Sequence, residues 1–356
     1  MTKDSSPRLS GTGQAPARPP EGRAATGLAL LFPGQGSQHA GMGKRVAEVS
    51  QAARQVFATA DEVLDDDITR LCFEASGQEL EDTVNTQPAI LTTSLAHLAY
   101  LREWLQEQGR RLRPSFMAGH SLGQFSAAVA AGSLDFSDGL RLVRERGRIM
   151  ADWARTRPGG LATVLGLNDQ AVQQVCRDAS PEGKVGVALV NTPGQTVISG
   201  EADALNQAMA LARERGGRVQ RLAISVPSHT PLMRDAAHEL SRFISTLRFR
   251  EPKTPLVSNI SAKLLTSADD VRQELSDQIC AAVQWVRCVA AMVNQGTGAF
   301  VEVGPGQALS KMVRRIGGDA QAISAEGASP AELLSLATPV RPAKGRSVQD
   351  QVEVAP

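Results

Sequence analysis

Short apolar runs alternate with longer segments of helical periodicity along most of the chain. Residues 27–34 (GLALLFPG) and 115–121 (SFMAGHS) are short and mainly apolar, whereas residues 55–65 (QVFATADEVLD) and 88–109 (PAILTTSLAHLAYLREWLQEQG) repeat apolar side chains at helical spacing. Strands that alternate with helices in this way form a mainly parallel sheet covered by helices. The pattern therefore predicts an α/β protein.

Residues 157–225 depart from this alternation. They read as a strand (GGLATVLGL), a helix (NDQAVQQVCRDA), two strands (VGVALVNT and QTVISG), a helix (ADALNQAMALARERG) and a strand (RVQRLAI). This is the β-α-β-β-α-β order of a ferredoxin-like module, and Pro158 and Pro227 mark its ends. We expect a small ferredoxin-like domain inserted into a larger α/β domain made of residues 26–156 and 226–337, with a ligand-binding cleft between them.

Both ends of the chain differ from the middle in composition. Residues 1–25 are rich in Pro, Gly, Ser and Arg and can bury little apolar surface, and residues 338–356 are similar. We expect flexible tails in both places.

Charge and cysteine content narrow the classes of function. The 356 residues include 38 Lys and Arg against 37 Asp and Glu, which gives no argument for binding nucleic acid or a membrane surface. No apolar run reaches the roughly 18 residues of a membrane helix, and the N-terminus lacks a signal-peptide pattern, so we expect a cytoplasmic protein. Four cysteines without metal-type spacing predict reduced thiols and no metal site: Cys72, Cys176, Cys280 and Cys288.

The candidate chemistry begins with the sequence Gly-His-Ser-Leu-Gly at residues 119–123. A G-x-S-x-G pattern between a short apolar run and an alanine-rich helix is typical of a sharp strand-to-helix turn that exposes the serine hydroxyl. The helix N-terminus offers free N–H groups to an oxyanion. Because this pattern also occurs by chance in glycine-rich turns, Ser121 is at this point a candidate nucleophile only.

A serine nucleophile needs a base, and the chain has five histidines. His97 and His238 lie in helical stretches, where packing or surface roles are more common. His229 follows an apolar run that ends at Pro227, so a turn there would expose its imidazole. It is the better candidate base, and the alternative is a loop histidine that bonds only within its own turn.

Two further features concern charge. The glycine-rich residues 30–43 (LLFPGQGSQHAGMG) lack the spacing of a nucleotide-binding loop, so backbone N–H groups for an oxyanion are the better interpretation. Arg146 shares one helical face with Leu142, Ile149 and Met150 and so points inward. A buried guanidinium needs a carboxylate partner, which is either an internal Asp or Glu or the carboxylate of a substrate.

Six ordered motifs resemble those of the malonyl-CoA:acyl carrier protein transacylase family, which also supplies the acyltransferases of polyketide synthases. They are LFPGQGSQ, AGHSLGQFSA, RGRIM, NTPGQTVISG, SVPSH and VEVGPGQAL, and they extend from about residue 29 to about residue 316. The resemblance implies an α/β-hydrolase-like domain with a ferredoxin-like insertion, in agreement with the pattern.

The resemblance also implies roles for individual residues. Ser121 would carry the acyl group as an ester, His229 would be its general base, and Arg146 would hold the malonyl carboxylate. The other implied positions are the carbonyl of Gln278, which orients the histidine, the oxyanion-hole N–H groups of Gln35 and Leu122, and the site-lining side chains of Gln87, His120 and Asn191.

Two positions depart from the family pattern. Gln124 stands where many members have glutamate, from which we expect little effect on the chemistry. The residues VPSH at 226–229 match neither tetrapeptide of the modular polyketide acyltransferases, so that code does not decide the acyl group.

The sequence therefore predicts transfer of a malonyl group from coenzyme A, as substrate and not as bound cofactor, to an acyl carrier protein. We expect a monomer without bound cofactor, nucleic acid or membrane. Basic residues in segments 213–221 and 311–318 could meet a carrier protein or could be ordinary surface charge. The rival functions are a hydrolase that clears acyl groups from carrier proteins and a non-catalytic docking module.

Overall fold

The computed structural model of the chain describes residues 27–336 and 338–339. The predicted tail at 1–25 lies outside the described residues, as do residues 340–356 of the tail predicted at 338–356. The first two residues of that tail differ from the prediction: Thr338–Pro339 forms a short strand that pairs in antiparallel fashion with Arg110–Arg111.

The described strands are, in chain order, β1 (Gly27–Phe32), β2 (Arg110–Arg111), β3 (Phe116–Gly119), β4 (Gly159–Leu165), β5 (Val185–Thr192), β6 (Gln195–Glu201), β7 (Arg218–Arg221), β8 (Leu256–Val257), β9 (Leu264–Leu265), β10 (Thr297–Glu302), β11 (Gln321–Ser324) and β12 (Thr338–Pro339).

The described α-helices are α1 (Lys44–Val49), α2 (Gln51–Leu64), α3 (Ile68–Glu74), α4 (Gly77–Glu81), α5 (Thr83–Glu107), α6 (Gly123–Ala130), α7 (Phe136–Thr156), α8 (Asp169–Ala179), α9 (Ala202–Glu214), α10 (Arg234–Ile244), α11 (Ala268–Asp277), α12 (Trp285–Asn294), α13 (Ala308–Ile316) and α14 (Pro330–Ser335). Short 3-10 helices cover Pro231–Met233 and Gln278–Cys280.

The larger sheet has the order β11-β10-β1-β3-β8-β9 and is parallel except for β9. Its central strands β1 and β3 are short and wholly apolar, as expected where helices cover both faces of a parallel sheet. In the register of β1 with β3, Phe32 lies beside Gly119. The loops that leave these two strands therefore start side by side, at the edge of the sheet where α/β proteins place their sites.

A second sheet, with the order β5-β6-β4-β7, is antiparallel throughout. Its strands and helices α8 and α9 follow each other in the predicted β-α-β-β-α-β order. Strand β7 is shorter than predicted and ends at Arg221. After it the Leu222 N–H still donates to the Leu161 carbonyl of β4 (2.9 Å), and Leu222 and Ile224 pack against cores that contain residues of the larger sheet.

The two faces of the second sheet belong to different hydrophobic clusters. Ala162 and Ile198 pack under α8 and α9. Leu161 and Val197, one position earlier on the same strands, point to the opposite face and pack with residues of the larger sheet such as Leu31. The two sheets are thus joined by a common apolar layer.

The start of α5 also differs from the prediction. The helix begins at Thr83, five residues before Pro88, because the Asp82 carboxylate caps it by accepting a hydrogen bond from the Val84 N–H. The additional turn carries two side chains that reach the site, Thr83 and Gln87. Within the described part of the chain, no helix combines the length and apolar character needed to cross a bilayer.

Candidate active site

Ser121 occupies a strained turn between β3 and α6. Its φ of 52° lies in the left-handed region, which costs a non-glycine residue about 1–3 kcal/mol. A Cβ on Gly119 would lie 1.8 Å from the carbonyl carbon of Gly123, and one on Gly123 would lie 2.0 Å from the Phe32 oxygen. Both glycines are therefore required for the close approach of strand and helix, and the turn is the one that the G-x-S-x-G pattern predicts.

Asn259 braces this turn from the loop after β8. Its Oδ1 accepts a hydrogen bond from the Ser121 N–H (2.9 Å), and its Nδ2 donates to the Gly119 carbonyl (2.7 Å). The Asn259 N–H in turn donates to the buried carboxylate of Glu274 (2.6 Å), which also accepts from the Ser258 hydroxyl (2.6 Å). These bonds fix the position of the serine backbone.

Gln124 contributes to the same brace. Its Oε1 accepts from the Gly119 N–H (2.9 Å), and its Nε2 donates to the Val257 carbonyl (3.0 Å). The side chain thus joins the strand that ends at Gly119 to its neighbour β8. The sequence analysis noted Gln124 only as a departure and missed Asn259 and Glu274, because no local motif marks them.

His229 meets Ser121 from the chain segment that follows the second sheet. The Ser121 hydroxyl donates to His229 Nε2 at 2.7 Å. On the other side of the ring, Nδ1–H donates to the carbonyls of Gln278 (2.9 Å) and Ala281 (3.2 Å). Because carbonyls only accept, they hold the proton on Nδ1 and leave the Nε2 lone pair for the serine.

The environment keeps this imidazole neutral. His229 is 4% exposed, and burial together with the nearby charge of Arg146 lowers the pKa of His229 to about 3. At neutral pH the ring is therefore a proton acceptor. Its own backbone is also constrained, with a φ of 62°.

Arg146 lies inside the protein without an acidic partner. It is 2% exposed, and burial lowers the pKa of Arg146 to about 10, so the guanidinium stays charged. Nη1 donates to Gln87 Oε1 (2.8 Å), Nη2 points to the Ser121 hydroxyl (3.5 Å), and the Phe125 ring lies 5.3 Å from Cζ. Among the described residues no carboxylate pairs with it, and Nε has no hydrogen-bond acceptor.

The expected oxyanion donors lie beside the serine. A Cβ on Gly34 would be 2.3 Å from the His120 oxygen, so the loop after β1 lies directly against the serine turn. Within the described residues, the N–H groups of Gln35 and Leu122 have no acceptor of their own. They are available to a negatively charged oxygen near Ser121.

His120 and Asn191 connect the serine turn to the second sheet. His120 Nε2 lies 2.8 Å from Asn191 Oδ1, and the imidazole packs edge-on against the Trp285 ring, with centroids 5.3 Å apart. Burial lowers the pKa of His120, so it is neutral and donates through Nε2. Asn191, in β5, thus brings the second sheet to the site.

The structure places His229 and Arg146 in contact with the Ser121 hydroxyl, and Gln87 and Gln278 in contact with these two residues. A hydroxyl with a neutral base, free N–H groups and a fixed cation can form an acyl ester and hold a carboxylate at the same time. No group of three metal-ligating side chains occurs among the described residues.

Comparison with known proteins agrees with this chemistry. The acyl transferase domain family matches residues 29–343. Malonyl CoA-acyl carrier protein transacylase of Bacillus subtilis (strain 168) is 40% identical over 291 residues, which cover 81% of this chain and 90% of that protein.

Solved structures give the same result. The crystal structure of malonyl-CoA:acyl carrier protein transacylase from Xanthomonas oryzae pv. oryzae has a TM-score of 0.80 and 40% identity, covering 88% of this chain and 97% of that one. A malonyl-transacylase solved in complex with its type II polyketide synthase acyl-carrier protein has a TM-score of 0.81 and 36% identity, covering 87% and 98%. The chain belongs to the acyl transferase family and, within it, to the malonyl CoA-acyl carrier protein transacylases.

Proposed function

We propose that this enzyme transfers a malonyl group from coenzyme A to the phosphopantetheine thiol of an acyl carrier protein, for fatty-acid or polyketide synthesis. The observation that carries the proposal is the buried, unpaired guanidinium of Arg146, 3.5 Å from the hydroxyl that would bear the acyl group. A malonyl thioester has a carboxylate at one end and a reactive carbonyl at the other, so it supplies the missing partner while its carbonyl meets Ser121.

The first half of the reaction loads the serine. His229 Nε2 takes the hydroxyl proton as Ser121 Oγ attacks the thioester carbonyl, and the N–H groups of Gln35 and Leu122 stabilise the resulting oxyanion. When the intermediate collapses, the carbon–sulfur bond breaks and His229 returns the proton to the coenzyme A thiolate. The product is a malonyl ester on Ser121.

The second half is the reverse with another thiol. His229 takes the proton of the phosphopantetheine thiol, the sulfur attacks the ester carbonyl, and the proton returns to Ser121 Oγ. The Gln278 and Ala281 carbonyls hold the ring in one tautomer throughout.

Binding of a malonyl group would change the pKa of the base, His229. The positive charge of Arg146 is one cause of the low pKa of His229, and a bound malonyl carboxylate would offset that charge. The pKa of His229 then rises, so the ring becomes a stronger base when the correct substrate is in place.

The domain description belongs to the same proposal. Residues 26–156 and 226–337 would form the α/β-hydrolase-like core, and residues 157–225 the ferredoxin-like subdomain. The β-α-β-β-α-β order and the separate cluster beneath α8 and α9 support this division.

We also propose a cytoplasmic monomer that binds no nucleic acid and has no resident cofactor. Four free cysteines support a reducing compartment, and large exposed apolar side chains are few within the described residues.

Malonyl-CoA consumption with and without a holo carrier protein tests the proposal. The account predicts rapid formation of malonyl carrier protein and slow hydrolysis of malonyl-CoA. Ser121→Ala should catalyse neither reaction. Equally fast consumption without the carrier would instead identify a hydrolase, and transfer by Ser121→Ala would refute the ester intermediate.

A further inference from the structure

Thr83, the first residue of α5, lies between Gln35 and Gln87, two site residues that are distant in sequence and have different expected roles. Its hydroxyl accepts a hydrogen bond from Gln87 Nε2 (2.9 Å) and donates to Gln35 Oε1 (3.3 Å). Gln87 is also the residue that accepts from Arg146 (2.8 Å). Thr83 is half-buried, and its hydroxyl contacts both partners.

The donors of this chain all point the same way. Arg146 Nη1 donates to Gln87, Gln87 Nε2 donates to Thr83, and the Thr83 hydroxyl donates to Gln35. Hydrogen bonds that run in one direction polarise and strengthen each other, here with a fixed positive charge at the head of the chain. The chain ends on the side chain of Gln35, the residue whose backbone N–H is the proposed oxyanion donor.

The loop that carries Gln35 needs such an anchor. Gln35 stands between Gly34 and Gly36, and Gly36 adopts a φ of 101° that only glycine takes readily. The hydrogen bonds at the two flanking glycines are local: the Gly36 N–H donates to Gln38 Oε1 (2.7 Å), and the Ser37 hydroxyl donates to the Gly34 carbonyl (2.8 Å). The side-chain contact with Thr83 joins Gln35 to a different element, α5.

The backbone of Thr83 is fixed to the helix that carries Arg146. A Cβ on Gly147 would lie 2.7 Å from the Thr83 carbonyl oxygen and 3.0 Å from Val84 Cα. The first turn of α5 and the middle of α7 are therefore in direct backbone contact, which a glycine beside Arg146 permits. Thr83 is thus placed next to the helix of the cation through its backbone, and its side chain contacts the Gln35 side chain on the other side.

We infer that Thr83 is a positioning residue that sets the orientation of the Gln35 N–H relative to the Arg146 guanidinium. The inference rests on the proposed function, because it assumes the oxyanion role of Gln35. Loss of the hydroxyl would misplace one oxyanion donor and leave the carboxylate clamp in place. The step affected is the attack on the thioester carbonyl, whichever acyl group is bound.

The test is Thr83→Val, which keeps the shape of the side chain and removes both hydrogen bonds. We expect the rate of Ser121 acylation at saturating malonyl-CoA to fall about tenfold, less than the loss of a whole oxyanion donor, with KM changed less than about twofold. Single-turnover loading, followed by mass spectrometry of the quenched protein, measures the rate. Thr83→Ser, which restores the hydroxyl, should recover most of the rate.

Loading by acetyl-CoA distinguishes an effect of Thr83 through Gln35 from an effect through Gln87. It has no carboxylate, so a variant that only disturbs the oxyanion loop should lose the same factor with acetyl-CoA as with malonyl-CoA. A loss confined to malonyl-CoA, with a raised KM, would show that Thr83 serves the clamp through Gln87 and would overturn the inference.

Thr92→Val is the matched control, since Thr92 is buried in the same helix and its hydroxyl has no partner among the described residues. It should load at the wild-type rate. An unchanged rate in Thr83→Val would also overturn the inference. A wild-type enzyme that malonyl-CoA does not load would instead refute the proposed function itself.

Discussion

Arg146 keeps a full charge away from water, and its surroundings compensate only part of the free energy that this requires. Burying an unpaired ion costs several kcal/mol even after the protein relaxes. The bond to Gln87 contributes about 1.5–3 kcal/mol, and the Phe125 face about 0.5–2 kcal/mol. In the proposed function, the carboxylate of a bound substrate would supply further compensation.

Replacing Arg146 with alanine should therefore change substrate preference rather than abolish chemistry. We expect loading by malonyl-CoA to fall on the order of 100-fold, as when one partner of a buried charge pair is removed, and loading by acetyl-CoA to be kept or improved. Mass spectrometry of the acylated protein with each substrate measures both. Arg141→Ala, an exposed arginine on the same helix, should change neither rate. An Arg146→Ala enzyme that still prefers malonyl-CoA would contradict the clamp.

The pKa of His229 makes a prediction about pH. With a pKa of about 3 in the free enzyme, the ring stays neutral as the pH falls well below the value of about 6.5 for an ordinary histidine. We expect kcat/KM with acetyl-CoA to stay level from pH 8 to about pH 5. Removal of the positive charge in Arg146→Ala favours the protonated ring, so its acid limb should move to higher pH. A wild-type limb near pH 6.5 that does not move in Arg146→Ala would refute this assignment.

The catalytic turn depends on elements far from it in sequence. Strand β8 lies next to β3 in the sheet, so the loop after β8 places Asn259 beneath the serine. The same Oδ1 accepts from Gln278 Nε2 (3.1 Å), and the Gln278 carbonyl orients His229. One amide therefore connects the nucleophile to the segment that holds its base.

Asn259→Ala should damage stability and chemistry together. Its loss leaves the Ser121 N–H and the Gly119 carbonyl without partners in a buried place, which costs about 1–3 kcal/mol for each group. We expect a lower thermal midpoint and a lower kcat with nearly unchanged KM, measured by calorimetry and by steady-state transfer. Asn294→Ala, at an exposed helix end, is the control. A variant with the wild-type midpoint and kcat would show that the brace is dispensable.

At the scale of the whole molecule, the two sheets share one hydrophobic cluster. One apolar cluster combines Leu161 and Val197 of the second sheet with Leu31 and Phe300 of the first. Backbone hydrogen bonds also join residues 188–190 of β5 to Val283, in the segment before α12. If either sheet unfolded, the other would lose the apolar layer on its shared face.

We therefore expect a single cooperative unfolding transition in urea. Far-UV circular dichroism and tryptophan fluorescence should give coincident curves, since Trp285 lies in the shared cluster. Two separated transitions would show that residues 157–225 fold as an independent domain.

The sequence predicts best what is encoded locally. The two glycines around Ser121 and the inward face of α7 follow from short-range spacing, and both are present in the structure. Periodicity alone could not decide between an internal and a substrate partner for Arg146, because the absence of a nearby carboxylate is a tertiary fact.

Other parts of the site have no signature in a single sequence. The Gln278 carbonyl came only from the family resemblance, since any residue has a carbonyl. Asn259 and Glu274 were missed because their role depends on which strand lies beside β3. The start of α5 was missed because the apolar pattern begins after its polar first turn, where Thr83 lies.

Locating the acyl group after brief exposure to malonyl-CoA tests the central claim most directly. The protein is quenched in acid within one turnover, digested, and its peptides sequenced by mass spectrometry. The account predicts a malonyl ester on Ser121 in the wild-type enzyme and none in Ser121→Ala. A malonyl group on any other residue, or rapid transfer to the carrier protein without labelled Ser121, would contradict it.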